Sequence, residues 1–455
     1  MWRWPVGCTP ENTRALVMKV GEFYRSLMET PETNPEENPV PAEAPEAVMN
    51  EIVAEPGEPA PPGDTVIEKL VYGGQGLART ANKVVMMPFV IPGETVTWHA
   101  IKEHPGHIDA RLSDVVKASE FRVEPPCPVF GRCGGCHYQH IEYGTQVEHK
   151  KKILAESLAR IGKLTPPDEI GALTGEPWGY RNRIQIHFEG RKMGFREAGS
   201  RTLVPIENCP VASPMLQQAL AAIKKRIRDH RFPDFLEEVE LFTNEEEVVF
   251  NVLRARRGVS KDFFPWMAEV VPGADQSRLF YQVGDHRFRV SYQSFFQVNR
   301  FLMEPLVDAV LGDSKPAWAL DLYAGVGLFS VPLAKRGGRV TAVEVVRGAA
   351  ADLDHNKFAG IDVVQKAVEF YLEKFEGCPD LILADPPRVG MGKKTVEHLV
   401  ALRAPEICLV SCDPTTLARD AAGLVAGGYE ITALTMADLF PQTFHLEAVM
   451  RLRLR

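Results

Sequence analysis

The sequence has few of the features that mark exported or membrane-embedded proteins. In its 455 residues, no apolar run reaches the roughly 18 residues that a membrane-spanning helix requires. The first twenty residues, MWRWPVGCTPENTRALVMKV, lack the apolar segment of a signal peptide. We therefore expect a cytoplasmic protein with no membrane partner, and the length of the chain predicts more than one domain.

A strong net charge is also lacking, which leaves the class of partner open. The formal net charge is −8, and residues 1–63 contain eleven Glu against four Lys or Arg. The remaining chain is therefore nearly neutral, and it has basic clusters at residues 149–152, 224–226 and 254–257. This distribution is compatible with an RNA partner without requiring one.

Aromatic residues are absent from residues 26–62, a stretch that is rich in proline and glutamate. Such a composition cannot bury enough apolar surface to offset the entropy that is lost when the chain becomes ordered. We therefore predict that residues 1–63 form a disordered acidic tail, and we assign no function to it.

After this tail, the sequence pattern predicts three ordered domains. Residues 64–122 alternate β-rich runs with Gly-Gly and Pro-Gly turns, which favours a small OB-like β-barrel. Residues 123–292 mix basic strand-like runs with a helix and predict a small α+β domain. Residues 293–455 alternate apolar strands with helices, which predicts an α/β, Rossmann-like domain with a doubly wound, mostly parallel sheet. The ligand of such a sheet binds at the carboxyl ends of its strands.

One strand of the third domain ends in the loop DLYAGVG, residues 321–327. Its glycines allow the backbone to approach a ligand at the N-terminus of a helix. Glu344 ends the next strand, where an acid can accept hydrogen bonds from both hydroxyls of a ribose. A nicotinamide dinucleotide site has the same spacing, but Ser330 stands where its third glycine would be, which weakens that alternative.

Two further strand ends carry polar residues. Asp385 begins the motif DPPR, in which two prolines make a rigid shelf on which a planar base could rest. Cys412 lies in the motif SCDP after the apolar strand ICLV. A lone cysteine at such a place is most often part of the core, but the polar neighbours and the ligand side of the sheet favour a functional site.

A thiol at this position would provide the nucleophile that methyl transfer to carbon 5 of uracil requires. Carbon 5 of uracil is not electron-rich enough to attack a methyl sulfonium directly, whereas addition of a thiolate to carbon 6 creates an enolate that can. The proton on carbon 5 must then be removed, and Glu447 is a suitable carboxylate base near the end of the chain. Taken alone, Glu447 is more often a surface carboxylate.

Cysteine is scarce, and three of the eight cysteines lie within ten residues: Cys127, Cys133 and Cys136. Proteins that are not exported rarely use disulfides, so this spacing indicates a metal or cluster site. Cys209, which precedes a proline, is the natural fourth ligand. Zinc and an iron–sulfur cluster both accept four cysteine thiolates.

Five ordered motifs together resemble the RNA 5-methyluridine (uracil-C5) methyltransferase family. They are SFFQVN, DLYAGVG, DPPR, SCDP and FPQTFHLE. The resemblance covers the chain from about residue 64 to its end, and the first domain resembles the TRAM RNA-binding module. It implies an enzyme that uses S-adenosylmethionine and modifies a uridine of 23S rRNA. The alternatives are the same chemistry on the T-loop of tRNA, or a non-catalytic RNA-binding protein.

The resemblance also implies roles for individual residues. Cys412 would be the nucleophile and Glu447 the proton acceptor. Four residues would contact the cofactor or line its site: Gln297, Tyr323, Glu344 and Asp385. The cysteines are similar to the 4Fe–4S ligands of the family's cluster-bearing branch, which implies a structural or RNA-positioning cluster on Cys127, Cys133, Cys136 and Cys209. The chain departs from the family at Leu328 and at residues 365–367. We expect a monomer.

Overall fold

The computed structural model describes residues 64–292 and 294–455. The predicted acidic tail at residues 1–63 lies outside these described residues. Among the described residues, no helix combines the length and the apolar character that are needed to cross a membrane. Three sheets, of six, five and eight strands, and one two-stranded hairpin form the described part of the fold.

The six-stranded sheet lies within residues 64–122. Its strands are β1 (Thr65–Val66), β2 (Lys69–Leu70), β3 (Gln75–Arg79), β4 (Val84–Pro88), β5 (Thr95–Glu103) and β6 (His107–Lys117), in the order β1-β5-β6-β4-β3-β2. Alternate residues of β4, such as Val85 and Met87, point into a small core. The buried carboxylate of Glu94 accepts hydrogen bonds at 2.6 and 2.7 Å from Arg122, which fixes the end of the segment to its sheet.

Helix α1 (Tyr143–Arg160) and strand β7 (Gly171–Leu173) follow, and then a five-stranded antiparallel sheet begins. Its strands are β8 (Arg183–Glu189), β9 (Lys192–Arg196), β10 (Leu203–Pro205), β11 (Leu236–Thr243) and β12 (Val248–Ala255), in the order β10-β9-β8-β11-β12. The helices α2 (Pro214–Arg226) and α3 (Phe263–Ala268) share its core, which contains Ile186, Leu220 and Phe250.

All strands of the eight-stranded sheet except β7 come from the last third of the chain. Before these strands come the hairpin β13 (Arg278–Val283) and β14 (His286–Ser291) and the helix α4 (Met303–Leu311). The elements that follow are β15 (Trp318–Leu322), α5 (Ser330–Lys335), β16 (Arg339–Glu344), α6 (Arg347–Asn356), β17 (Ile361–Gln365), α7 (Val368–Leu372), β18 (Leu381–Ala384), α8 (Gly392–Leu402), β19 (Glu406–Ser411), α9 (Pro414–Ala426), β20 (Tyr429–Ala437) and β21 (Glu447–Leu454).

Five of these strands are parallel and form one half of the sheet, whose order is β17-β16-β15-β18-β19-β21-β20-β7. Strand β21 is antiparallel to both of its neighbours. Successive residues of β18 face opposite sides, since Ile382 lies in one core and Leu383 in the other. Helices cover both faces, so the prediction of a doubly wound, mostly parallel α/β sheet is confirmed.

The predicted segment 123–292 is not one packed unit. Helix α1 packs against α9, and its Leu154 and Leu158 lie in a core of the eight-stranded sheet. Strand β7 pairs with β20 at the edge of that sheet, and the hairpin places Leu279 and Phe288 in the core on its other face. Apolar periodicity shows that a face is buried without showing what covers it, so the sequence pattern could not assign these elements to a core.

One buried ion pair ties α1 to the large sheet. The Nζ atom of Lys150 donates to Oδ1 of Asp438 at 2.6 Å and to the carbonyl oxygen of Phe440 at 3.1 Å. Both charged side chains are fully buried. Asp438 is the first residue after β20. Because buried charges require a partner, its ion pair with Lys150 holds the start of the connection to β21 against α1.

We expect Lys150→Met to lower the free energy of unfolding by about 3–5 kcal/mol, because the carboxylate of Asp438 would remain buried without its cation. Lys151→Met is the matched control, since Lys151 lies on the same helix and pairs with the more exposed Glu148. Its effect should stay below about 1 kcal/mol. Chemical denaturation followed by circular dichroism measures both, and equal losses would contradict the importance of the buried pair.

Candidate active site

The loop after β15 turns sharply at the carboxyl end of the sheet. Tyr323, Gly325 and Gly327 have φ angles of 61°, 56° and 93°, all in the left-handed region. A Cβ atom on Gly327 would lie 2.4 Å from Cδ1 of Leu353, so a larger residue does not fit there. The glycine spacing of this loop is therefore a requirement of its turn.

Glu344 connects this loop to the end of β16. One of its carboxylate oxygens accepts a hydrogen bond from the amide of Gly325 at 2.9 Å, and the other accepts from the amide of Val346 at 2.7 Å. Asp321, at the start of the loop, is also buried and accepts a hydrogen bond from the hydroxyl of Ser330. Ser330 thus hydrogen-bonds the buried Asp321, at the position where a dinucleotide-binding site would have a glycine.

A cleft of about 670 Å³ opens at the carboxyl ends of the parallel strands. It is lined by all six residues that were predicted to act in catalysis or to contact the cofactor: Gln297, Tyr323, Glu344, Asp385, Cys412 and Glu447. Exposed apolar side chains of Phe295, Val345 and Val346 line it as well, and so does Ala367. These apolar residues offer a surface for a flat ring, and the sequence analysis missed them because exposed apolar residues follow no periodic pattern.

Cys412 and Glu447 lie at the ends of neighbouring strands. Strands β19 and β21 are antiparallel, and Ser411 pairs with Ala448. The next residue along β19 therefore lies opposite the preceding residue of β21. The fold thus places the predicted nucleophile opposite the predicted base, and both line the cleft.

Burial raises the pKa of the carboxyl groups at the base of the cleft. The pKa of Glu447 lies well above its ordinary value because of burial and the nearby charge of Asp385, and Arg388 acts in the opposite direction. Burial and the neighbouring Asp321 raise the pKa of Asp385 to about 7. The Oε1 atom of Glu447 is buried and has no hydrogen-bond partner among the described residues, so it can accept a proton from a bound substrate.

Burial also raises the pKa of the Cys412 thiol, to about 12. The charge of Glu447 adds to this effect, whereas that of Arg388 opposes it. At neutral pH the thiol is therefore protonated before substrate binds. Attack on an electrophilic carbon requires that the thiol lose its proton as the new bond forms.

A second cavity, of about 650 Å³, is lined by the four predicted cluster ligands: Cys127, Cys133, Cys136 and Cys209. Burial raises the pKa of the Cys136 thiol to about 12 and that of the Cys209 thiol to about 11. Arg181 lines the same cavity and lowers both values. The fold therefore brings Cys209 to the other three cysteines from a distant part of the chain.

Similarity to known proteins identifies the family. A family model for tRNA (uracil-5-)-methyltransferases matches residues 266–455. An uncharacterised RNA methyltransferase of Aquifex aeolicus is 32% identical over 86% of this chain and 98% of its own length. The 23S rRNA (uracil(1939)-C(5))-methyltransferase RlmD of Pseudomonas fluorescens is 33% identical over 84% of this chain and 90% of its own. The chain belongs to the RNA uracil-C5 methyltransferase family.

The protein is therefore an S-adenosylmethionine-dependent RNA methyltransferase that acts on carbon 5 of uracil. The crystal structure of Pyrococcus abyssi tRNA (uracil-54, C5)-methyltransferase in complex with S-adenosyl-L-homocysteine has a similar fold, with a TM-score of 0.66 and 24% sequence identity. The match covers 85% of this chain and 99% of the other. The shared fold thus extends well beyond the eight-stranded sheet.

The N-terminal sheet of the methyltransferase reaches the loop that carries Cys412. The hydroxyl of Tyr72, in the turn between β2 and β3, donates a hydrogen bond to the carbonyl oxygen of Cys412 at 3.1 Å. Its ring packs edge-on against Phe444, with ring centroids 5.5 Å apart. A Cβ atom on Gly74 would lie 3.0 Å from Phe444, so the glycine turn permits this close approach. No sequence pattern links residue 72 to residue 412, and the contact became visible only in the fold.

We expect Tyr72→Phe to reduce the turnover of the methyltransferase by about 2- to 12-fold, because one hydrogen bond worth about 0.5–1.5 kcal/mol no longer positions the loop of Cys412. The affinity for S-adenosylmethionine should be unchanged. Single-turnover kinetics with RNA and calorimetry with the cofactor measure the two effects.

Tyr429→Phe is the matched control. The Tyr429 hydroxyl also donates to a backbone carbonyl, that of Ala404 at 3.0 Å, but it lies at the end of β20 remote from the cleft. This variant should keep wild-type turnover. If both variants lost turnover equally, Tyr72 would act through the stability of the whole fold and not through the position of the Cys412 loop.

Proposed function

We propose that this methyltransferase modifies a uridine of 23S rRNA through a covalent bond between Sγ of Cys412 and carbon 6 of the base. The observation that carries the proposal is the pairing of β19 with β21, which places Cys412 opposite Glu447 in the cleft that also contains the glycine loop. A protein that only bound RNA would need neither a nucleophile nor a base at this place.

The lining of the cleft supports S-adenosylmethionine as its ligand. The carboxylate of Glu344 provides negative charge beside the glycine loop, and the exposed ring of Phe295 provides an apolar surface for the adenine. We propose that Gln297 and Tyr323 complete the contacts. When bound, the cofactor supplies a methyl group on a positively charged sulfur.

The chain itself supplies the nucleophile and the base. The Cys412 thiol releases its proton to solvent as its sulfur bonds to carbon 6, and carbon 5 thereby becomes the enolate carbon that accepts the methyl group. Glu447 then takes the proton from carbon 5, the bond between sulfur and carbon 6 breaks, and the thiolate of Cys412 recovers a proton. The raised pKa of Glu447 suits this task, because a buried carboxylate is a stronger base than an exposed one.

The names of the relatives support 23S rRNA as the target. Those from Pseudomonas fluorescens and Halomonas elongata, 33% and 31% identical, are named for uracil 1939 of 23S rRNA. A uridine must leave its stack to reach the partly buried Cys412, so the surrounding RNA has to be held open. We assign this task to the sheet at residues 64–122, acting as a TRAM module, together with the domain that carries the basic clusters at residues 224–226 and 254–257.

We further propose that the second cavity holds a 4Fe–4S cluster on Cys127, Cys133, Cys136 and Cys209. Four thiols around one cavity are the donor set that such a cluster takes. The amide of Gly135 donates to Sγ of Cys133 at 3.4 Å, and Arg181 provides positive charge that favours thiolates. When bound, the cluster supplies iron–thiolate bonds that join the segment before α1 to the loop before α2, and we assign it a structural role.

A denaturing gel tests the covalent mechanism. Glu447→Gln should still form the methylated adduct but should not remove the proton from carbon 5, so a slowly migrating protein–RNA band should accumulate in the presence of cofactor. Cys412→Ala should give no band. Wild-type enzyme should give the band with RNA that contains 5-fluorouridine, because fluorine does not leave as a proton does.

The control variant for this experiment is Cys378→Ala, since Cys378 is half-buried and does not line the cleft. It should react as the wild type does. Peptide mapping that placed the RNA on a cysteine other than Cys412 would contradict the mechanism. A transcript of 23S rRNA and a tRNA are compared side by side, and adduct formation with the tRNA alone would overturn the proposed target without affecting the chemistry.

Metal analysis of anaerobically purified protein tests the cluster. We expect about four iron atoms per chain. Cys209→Ser should lower the iron content as much as Cys133→Ser does, whereas Cys378→Ser should leave it unchanged. Stoichiometric zinc without iron would refute the cluster, and full iron retention in the Cys209 variant would remove that residue from the ligand set.

A further inference from the structure

The turn between β5 and β6 brings two histidines and an aspartate together. The amide of His104 donates to the carbonyl oxygen of His107 at 2.8 Å, so a two-residue Pro-Gly turn makes these histidines a cross-strand pair. Cross-strand partners project their side chains to the same face of a sheet. Asp109 lies two positions beyond His107 on β6, and alternate residues of a strand also share a face. The three side chains therefore converge.

Their separations match those of ligands around one metal ion. The Nε2 atom of His104 lies 3.0 Å from one carboxylate oxygen of Asp109, and Nε2 of His107 lies 3.5 Å from the other. One ligand atom from each residue lies within 4.8 Å of the other two. Zinc binds nitrogen and oxygen ligands at about 2.0–2.2 Å, which places the corners of a tetrahedron roughly 3.3–3.6 Å apart. Each histidine Nε2 atom thus lies at about this spacing from an oxygen of the Asp109 carboxylate, His104 from one oxygen and His107 from the other.

We propose that His104, His107 and Asp109 form a binding site for a zinc-class divalent transition-metal ion. Two imidazoles and one carboxylate are donors that such ions prefer, and three protein ligands leave a fourth position open to water. All three side chains are between 30% and 39% exposed, so an ion from solvent can reach them without unfolding of the hairpin. This site is separate from the active cleft and from the cysteine cavity.

The position of the site indicates what the metal would do. The residues of β5 beyond Ala100 are exposed, so this end of β5 extends past the core, whereas the facing residue of β6, Ile108, lies in it. The side-chain contacts of this end of β5 are polar, such as the ion pair between Lys83 and Glu103 at 2.8 Å. A bound ion would tie this exposed end of β5 to β6, which the core and its pairing with β4 already hold. It would therefore hold the tip of the proposed RNA-binding sheet in one conformation.

Titration of the full-length, cluster-loaded protein with ZnCl₂ tests the proposal. Calorimetry should count one zinc site more in the wild type than in His104→Ala or in Asp109→Asn, and X-ray absorption should show nitrogen and oxygen ligands at that site. The isosteric Asp109→Asn change retains the shape of the hairpin, and unchanged cofactor binding verifies that each variant is folded.

His99→Ala is the matched control, because His99 lies on the same strand but contacts Ser113. It should retain the wild-type number of zinc sites. The same number of sites in the wild type, His104→Ala and Asp109→Asn would overturn the proposal, and so would sulfur ligation of the zinc that the wild type binds. Because the readout is metal binding, its failure leaves the proposed methyl transfer untouched.

Discussion

The antiparallel pairing of β19 with β21 is the constraint on which the active site depends. Parallel strands of a doubly wound sheet all end at the ligand side. Strand β21 runs in the opposite direction, so it is its first residue, Glu447, that lies beside the end of β19. If β21 were parallel to β19, Glu447 would lie at the far edge of the sheet, roughly 25 Å away for a strand of this length. The reversal of one strand thus places the proposed base, Glu447, next to Cys412.

The segment between β20 and β21 must also be held, because it carries Glu447 into this position. Gln442, whose φ angle is 67°, exchanges two hydrogen bonds with the side chain of Gln146 at 3.0 and 3.1 Å. Its carbonyl oxygen accepts from the amides of His137 and Tyr138 at 2.8 and 3.0 Å. These two residues directly follow Cys136 in the chain. The cysteine cavity and the proposed catalytic carboxylate are therefore joined by backbone contacts, which would give the proposed cluster a route to influence the geometry of the site.

The electrostatics of the cleft follow from the same arrangement. Asp321, Asp385 and Glu447 come from the ends of three strands, and burial raises the pKa of each. Arg388 is the cation that opposes this effect at Glu447, and it also lowers the pKa of the Cys412 thiol. A positively charged sulfonium would favour the ionised carboxylates, and binding of the cofactor is thus expected to prepare the cleft for proton removal.

The sequence by itself determined the local features of this protein. The spacing of apolar residues predicted the parallel sheet, and the positions of glycine, proline and acid at strand ends indicated the loop at residues 321–327 and the shelf at residues 385–388, because backbone conformation and strand period are set by near neighbours. Only the tertiary structure decided which distant residues meet. That Glu447 lies opposite Cys412, that Tyr72 donates a hydrogen bond to the backbone of Cys412 and that α1 belongs to the large sheet depend on strand pairing and on docking between surfaces. Apolar periodicity marks such surfaces as buried but carries no information about their partners.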